Sequence, residues 1–163
     1  MFKVEWNIEG LESLLKKFEA IDYDIKRKGG RAALRKAANV IVKAAQANAM
    51  KIDDPNTAET IYRNITTRWN GRLFKSTGDL GFRIGVAGGA QGFAAASGEL
   101  KGKGKENPGG DTWYWRHIEF GTQNISARPF MRPALADNVT TAEQAFVNEY
   151  TKAIDRAIKR AGR

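Results

Sequence analysis

A chain of 163 residues with 42% apolar and 28% charged side chains fits one globular domain and is too rich in core-forming residues to stay disordered. It has no cysteine and one histidine, His117, which excludes disulfide frameworks, thiol nucleophiles, iron–sulfur centres and multi-histidine metal sites. Lys and Arg outnumber Asp and Glu by 27 to 18. The surplus of +9 divides as +2 over residues 1–60, +4 over 61–121 and +3 over 122–163, so a diffuse basic surface facing anionic partners is expected rather than a basic tail.

No stretch approaches the ~18 consecutive apolar residues of a membrane span. The N-terminus, Met1-Phe2-Lys3-Val4-Glu5-Trp6, lacks the basic, apolar and small-residue order of a secretory signal. A cytosolic protein without membrane contact is expected.

Residues 2–8 alternate at strand period (Phe2, Val4, Trp6, Ile8). Residues 11–28 change to helical spacing, with Leu11, Leu14, Leu15, Phe18, Ile21 and Ile25 on one face. Lys26-Arg27-Lys28 followed by Gly29-Gly30 reads as a helix C-terminus, with cations at the negative end of the dipole and glycine as the cap, the alternative being a DNA-contacting patch. A second helix is predicted over 31–49, rich in alanine, and a turn over 51–56 around Pro55. Strands are predicted over 61–69, 82–86 and 113–120, the last strongly aromatic. Between the last two runs a glycine-rich segment, 88–112, reads as a long mobile loop with the length to reach a neighbouring subunit. A final helix is predicted over 137–161, with Thr140 and Glu143 as a capping box. The fold class is α+β: two N-terminal helices, a mainly antiparallel sheet with a long Gly/Lys-rich loop, and a C-terminal helix, all in one domain spanning 1–163.

Few constellations carry chemistry. No Gly-x-x-x-x-Gly-Lys-Ser/Thr is present, and Gly85-Val86-Ala87-Gly88-Gly89 lacks the dinucleotide pattern. His117 and Glu119 would share one face of a strand as an acid–base pair, although a histidine in an aromatic segment is more often a packed structural residue. Lys101, Lys103 and Lys105 alternate with glycine and offer sequence-blind attraction to phosphate or to an acidic partner. Trp113, Tyr114 and Trp115 suit a core or a subunit interface. Ala127-Arg128-Pro129-Phe130-Met131-Arg132-Pro133 reads as a stiff extended connector that either presents an aromatic ring and two guanidiniums to an interface or is a packed linker.

Two blocks in that order, Tyr114-Trp115-Arg116-His117-Ile118-Glu119-Phe120-Gly121-Thr122 and Ala127-Arg128-Pro129-Phe130-Met131-Arg132-Pro133-Ala134-Leu135, resemble the paired signature of the neck or tail-completion family of long-tailed bacteriophages. The resemblance implies a structural virion protein of the head–tail junction, not an enzyme, with no cofactor and no metal. It implies a ring of copies, taken as hexameric, around the DNA channel, beside connector and tail-terminator or tail-tube subunits. It places the protein in the virion neck after assembly in the host cytoplasm. It assigns Glu119, Phe120, Gly121 and Thr122 to a turn at a strand end, and Pro129, Phe130, Pro133 and Ala134 to a rigid connector. The rival readings are a basic nucleic-acid-binding protein without sequence preference and an enzyme built on His117 and Glu119.

Overall fold

The computed structural model describes Glu19 and residues 23–53, 56, 59–88 and 107–161. The strand predicted over 2–8, most of the helix predicted over 11–28 and the Lys101, Lys103 and Lys105 segment lie outside the described residues.

The helix end predicted at Gly29-Gly30 is not there. A π-helical turn, Asp24–Gly29, runs without a break into α1, Gly30–Met50. Both glycines are buried and helical, with φ near −60°. A Cβ on Gly30 would lie 2.8 Å from Leu80 Cδ1. The glycine therefore serves close approach of a neighbouring segment, not termination. The Lys26-Arg27-Lys28 cluster consequently sits inside a helical column, where no C-terminal dipole accounts for it.

The predicted strand over 61–69 begins four residues late. Ile61–Asn64 forms a single helical turn, α2, because the Asp53 carboxylate accepts hydrogen bonds from the Ile61 and Tyr62 amides (2.9 and 3.1 Å) and satisfies its first donors. Strand β1, Ile65–Trp69, then pairs antiparallel with β2, Phe82–Val86, as the pattern predicted for 82–86. Ile65 faces Val86, Thr67 faces Ile84 and Trp69 faces Phe82. The strands are joined by α3, Gly71–Thr77, whose first turn is capped by Asn70 Oδ1 accepting from the Leu73 amide (3.2 Å). It stops at Gly78, where φ of +81° requires glycine.

Two further predictions fail for a common reason. The aromatic segment 113–120 is not a strand; Trp115–Phe120 is a short helix, α4. Its aromatic positions satisfy helical spacing as well as alternation, and Tyr114, Trp115 and Ile118 all pack against the core from one face. The connector at 127–133 is extended only up to Pro129; Met131–Ala136 is a helix, α5, with Pro133 in its first turn, where its missing donor costs nothing.

Helix α6, Val139–Ala161, follows at once. Thr140 lies inside it, not at its cap. Asn138 Nδ2 donates to the Ala134 carbonyl (3.0 Å) and the Ala142 amide donates to the Asn138 carbonyl (2.9 Å), so α5 and α6 are nearly continuous and the start is set before Thr140. Helix α6 returns antiparallel along α1, with Val139–Val147 beside Leu34–Ile41 and Tyr150 beside Gly30.

The core lies where α1 meets everything else. Val42, Ala45 and Ala49 of α1 pack against Ile61, Ile65, Val86, Phe130 and Ala134. Small residues on α1 let the hairpin and α5 come close. Phe130, fully buried, is the largest member, and its burial is worth about 1.5–3 kcal/mol. The class is α+β as predicted, with a two-stranded sheet among the described residues.

Candidate functional site

The predicted residues from Glu119 to Pro133 converge on one structure, built around a buried carboxylate. Glu119 is 1% exposed. Its Oε2 accepts from the amides of Phe130 (2.7 Å) and Met131 (2.9 Å), and its Oε1 from the amide of Arg132 (3.0 Å) and from Arg132 Nε (3.2 Å). Arg132 Nη2 also donates to the Glu119 carbonyl (2.6 Å).

The first donors of α5 are thus satisfied by a carboxylate eleven or more residues earlier in the chain, and the next position, Pro133, has no donor to satisfy. Burial by itself would raise the Glu119 pKa. The amides of Met131, Phe130 and Arg132 and the Arg132 side chain more than offset it and hold the carboxyl below its ordinary value.

The chain between the two ends of this clasp is tied at its base. Gly121, at φ +76°, turns the chain out of α4. A Cβ there would meet the Ile125 carbonyl oxygen at 2.9 Å and the Ala127 nitrogen at 3.0 Å, so both the torsion and the space demand glycine. The Thr122 amide donates to the Ile125 carbonyl (2.9 Å), while Thr122 Oγ1 accepts from the Asn124 and Ile125 amides (3.3 and 3.1 Å). The Arg128 amide donates to the Ile118 carbonyl (2.8 Å) and closes the loop.

Every residue from Thr122 to Pro129 is exposed. Phe120 is 59% exposed with the Arg132 guanidinium 5.1 Å above its ring, and Ile125 is 50% exposed. Held apolar side chains on a tied loop form a surface suited to a partner.

Trp113, Tyr114 and Trp115 are half-buried, the last two packed against the core. Trp113 makes edge-on contacts with Tyr114 and His117, both at 5.9 Å between ring centres. The His117–Glu119 pair does not form an acid–base site, since the two lie two positions apart on a helix and Glu119 is occupied by α5. Among the described residues no group of three or more His, Asp or Glu side chains gathers as a metal site.

Burial pushes the Tyr114 phenol up to about 12, with the charges of Glu59 and Asp53 adding to the effect. A folded value above the ordinary one near ~10 means that this contribution to stability is complete below pH ~10 and lost as pH rises towards 12. An absorbance titration should show one phenol ionising near pH 12, and Tyr114→Phe should remove that step. A wild-type titration with every tyrosine ionised by pH ~11 would contradict it.

A second polar hub escaped the sequence. Asn64, fully buried, accepts from the Gly109 amide (2.7 Å) and donates to the Gly110 carbonyl (2.9 Å) and to Thr112 Oγ1 (2.7 Å). Its carbonyl accepts from the Ala87 amide (2.7 Å). Gly88 lies against Asn107, so the described residues that flank 89–106 sit side by side. Nothing in the local pattern marks a lone asparagine as a hub.

Also unforeseen is an arginine–aromatic stripe. Arg27 lies over Phe74 (5.1 Å), Arg31 over Trp69 (4.3 Å) and Arg35 over Phe82 (5.5 Å). Their four-residue spacing was the available signal. No helix among the described residues is long and apolar enough to cross a membrane.

Compared with known proteins, residues 12–121 match the family model described as "Bacteriophage HK97-gp10, putative tail-component". The match includes α1, the hairpin and α4 and ends at the Gly121 turn. No curated protein and no solved structure matches the chain. With about two thirds of its length matched, and with the motif blocks pointing the same way, the chain belongs to the HK97-gp10-like family of bacteriophage tail components.

Proposed function

We propose that this protein completes the tail at the phage head–tail junction, as one subunit of a hexameric ring around the DNA channel, in contact with connector and tail-terminator or tail-tube subunits. The observation that carries the reading is the exposed, tied 121–129 loop on the Glu119 clasp, in a chain of a phage tail-component family. A compact protomer of this length has a radius of gyration of about 15 Å and cannot enclose a channel alone. Cyclic symmetry is the closed way to do so with identical copies.

In this reading Phe120, Thr122, Arg128 and Pro129 face a neighbouring subunit. Glu119, Gly121, Phe130, Arg132 and Pro133 hold the loop in shape, and Trp113, Tyr114 and Trp115 fix α4 beneath it. Lys101, Lys103 and Lys105 remain candidates for contact with DNA or an acidic subunit. The work is geometric, and no residue has a catalytic role.

The test is a phage with the gene disrupted and complemented in trans. Loss of the protein should leave DNA-filled heads and uncompleted tails unjoined under electron microscopy. The double variant Phe120→Ser/Arg128→Glu, both positions exposed, should do the same while folding normally. Virions that lack the protein yet carry functional tails would end the proposal.

A further inference from the structure

The Lys26–Lys36 region needs an explanation that a helix terminus no longer supplies. Residues 26–50 contain no Asp or Glu. Arg27, Arg31 and Arg35 fall on one side of the helical column at four-residue spacing, about 6 Å apart along the axis for the latter two. All three are exposed, and each guanidinium lies over a ring of the hairpin unit. The rings form one run, with Trp69 5.6 Å from Phe74 and 5.3 Å from Phe82.

Beside them a groove of about 480 Å³, lined by Lys28, Arg31, Arg35, Lys36 and Asn39, contains one carboxylate, Glu149, which is paired to Arg156 (3.2 Å). A guanidinium stacked on an aromatic face keeps its N–H edge available while losing little further freedom on binding.

We infer that the Arg27–Arg31–Arg35 stripe, with Lys36, is a contact surface for the phosphate backbone of duplex DNA. The inference rests on the channel reading above and names which face of the subunit meets the DNA. Several observations favour phosphate over an acidic protein. The cations are arginines, whose planar forks match phosphate oxygens in pairs. They are repeated along a line. Each aromatic ring of the stripe already carries a guanidinium over it, and a phosphate backbone, unlike a protein anchor, needs no open apolar surface. Contacts of this kind carry no base information, so the binding is sequence-blind.

The experiment measures binding of the full-length protein to a mixed-sequence duplex across a salt series, for wild type, the single variants Arg31→Gln and Arg35→Gln, the triple Arg27→Gln/Arg31→Gln/Arg35→Gln, and the triple Arg→Lys. Thermal melts establish that each variant is folded. Each lost arginine should lower the slope of log affinity against log salt by about 1, and the triple Gln variant should bind roughly 10–100-fold more weakly at low salt. The triple Lys variant should keep the wild-type slope.

If the triple Gln variant does not fold, the single variants give the same reading at one third of the effect. No binding by wild type at low salt, or an unchanged slope in the Gln variants, overturns the inference. So does polyglutamate binding that matches DNA in strength and falls in the same variants, which would make the partner an acidic protein. None of these outcomes bears on whether the subunit is in the virion neck, which imaging decides. Conversely, absence from virions would defeat the ring reading while leaving the measured DNA contact standing.

Discussion

Replacing Glu119 by glutamine is expected to lower stability by about 3 kcal/mol and the melting temperature by roughly 6–12 °C. The carboxylate takes four donors with two oxygens. Glutamine retains one oxygen, and its NH₂ faces two of those donors instead of accepting from them. Where these are backbone amides of a buried turn, no water replaces the lost acceptor. Arg132→Ala should cost far less, about 1 kcal/mol or below, since that side chain is 57% exposed and the three amides still hold the carboxylate.

The pH dependence separates this account from simple loss of packing. The folded pKa of Glu119 lies below its ordinary value. Its stabilisation is therefore complete above the unfolded-chain value near ~4.3 and lost as pH falls through the folded one. Wild type should lose stability on acidification below that point, and Glu119→Gln should show a shallower acid limb. Equal acid limbs, or a melting temperature within about 2 °C of wild type, would refute the clasp as a source of stability.

The consequence for assembly follows from where the clasp sits. Loosening α5 releases Phe130 from the core and unties the loop that carries Phe120 and Ile125. An interface variant such as Phe120→Ser should instead leave the melt unchanged, because that ring is exposed. Comparing the two separates a shape defect from a contact defect.

How much of this was legible beforehand varied with the kind of signal. Helix α1 and strand β2 were read correctly from their periodicity, because each buries one face against a continuous neighbour. The aromatic run 113–120 misleads, because Trp113, Trp115 and His117 alternate while Tyr114, Trp115 and Ile118 share a helix face, and only the neighbouring surface selects one. Gly29-Gly30 misled for a different reason. Glycine signals either a left-handed cap or a close approach, and Leu80, which decides between them here, is fifty residues away in sequence.

The motif residues were recognisable as a group, but not their mechanics. A glutamate before Phe-Gly-Thr carries no local sign that it will cap a helix starting at Met131. The Asp53 cap on α2 is the same device and was equally hidden. Long-range polar contacts of this type leave no periodicity, so they become visible only when the chain is folded.

The second large effect is expected at Asn64. Asn64→Ala leaves the Gly109 amide without its acceptor and Thr112 Oγ1 without its donor, both in buried surroundings, for a cost of about 3 kcal/mol. Gly109→Ala should be of similar severity, because its Cβ would run into the Thr60 carbonyl oxygen, a backbone atom of the residue whose amide donates to the Gly109 carbonyl (2.7 Å).

Asn64→Asp is the most informative substitution. It preserves shape and the acceptor for the Gly109 amide, and the Thr112 hydroxyl can turn to donate, but it sets a negative oxygen against the Gly110 carbonyl. Protonation restores a donor on that side, so folding favours the acid form and raises the introduced carboxyl's pKa. A raised folded pKa means that stability improves as pH falls, opposite in sign to the Glu119 effect. Asn64→Asp should therefore melt well below wild type at neutral pH and recover part of the difference near pH ~4–5. Failure to recover, with Asn64→Ala costing less than about 1 kcal/mol, would show that Gly109–Thr112 is held by something other than this side chain.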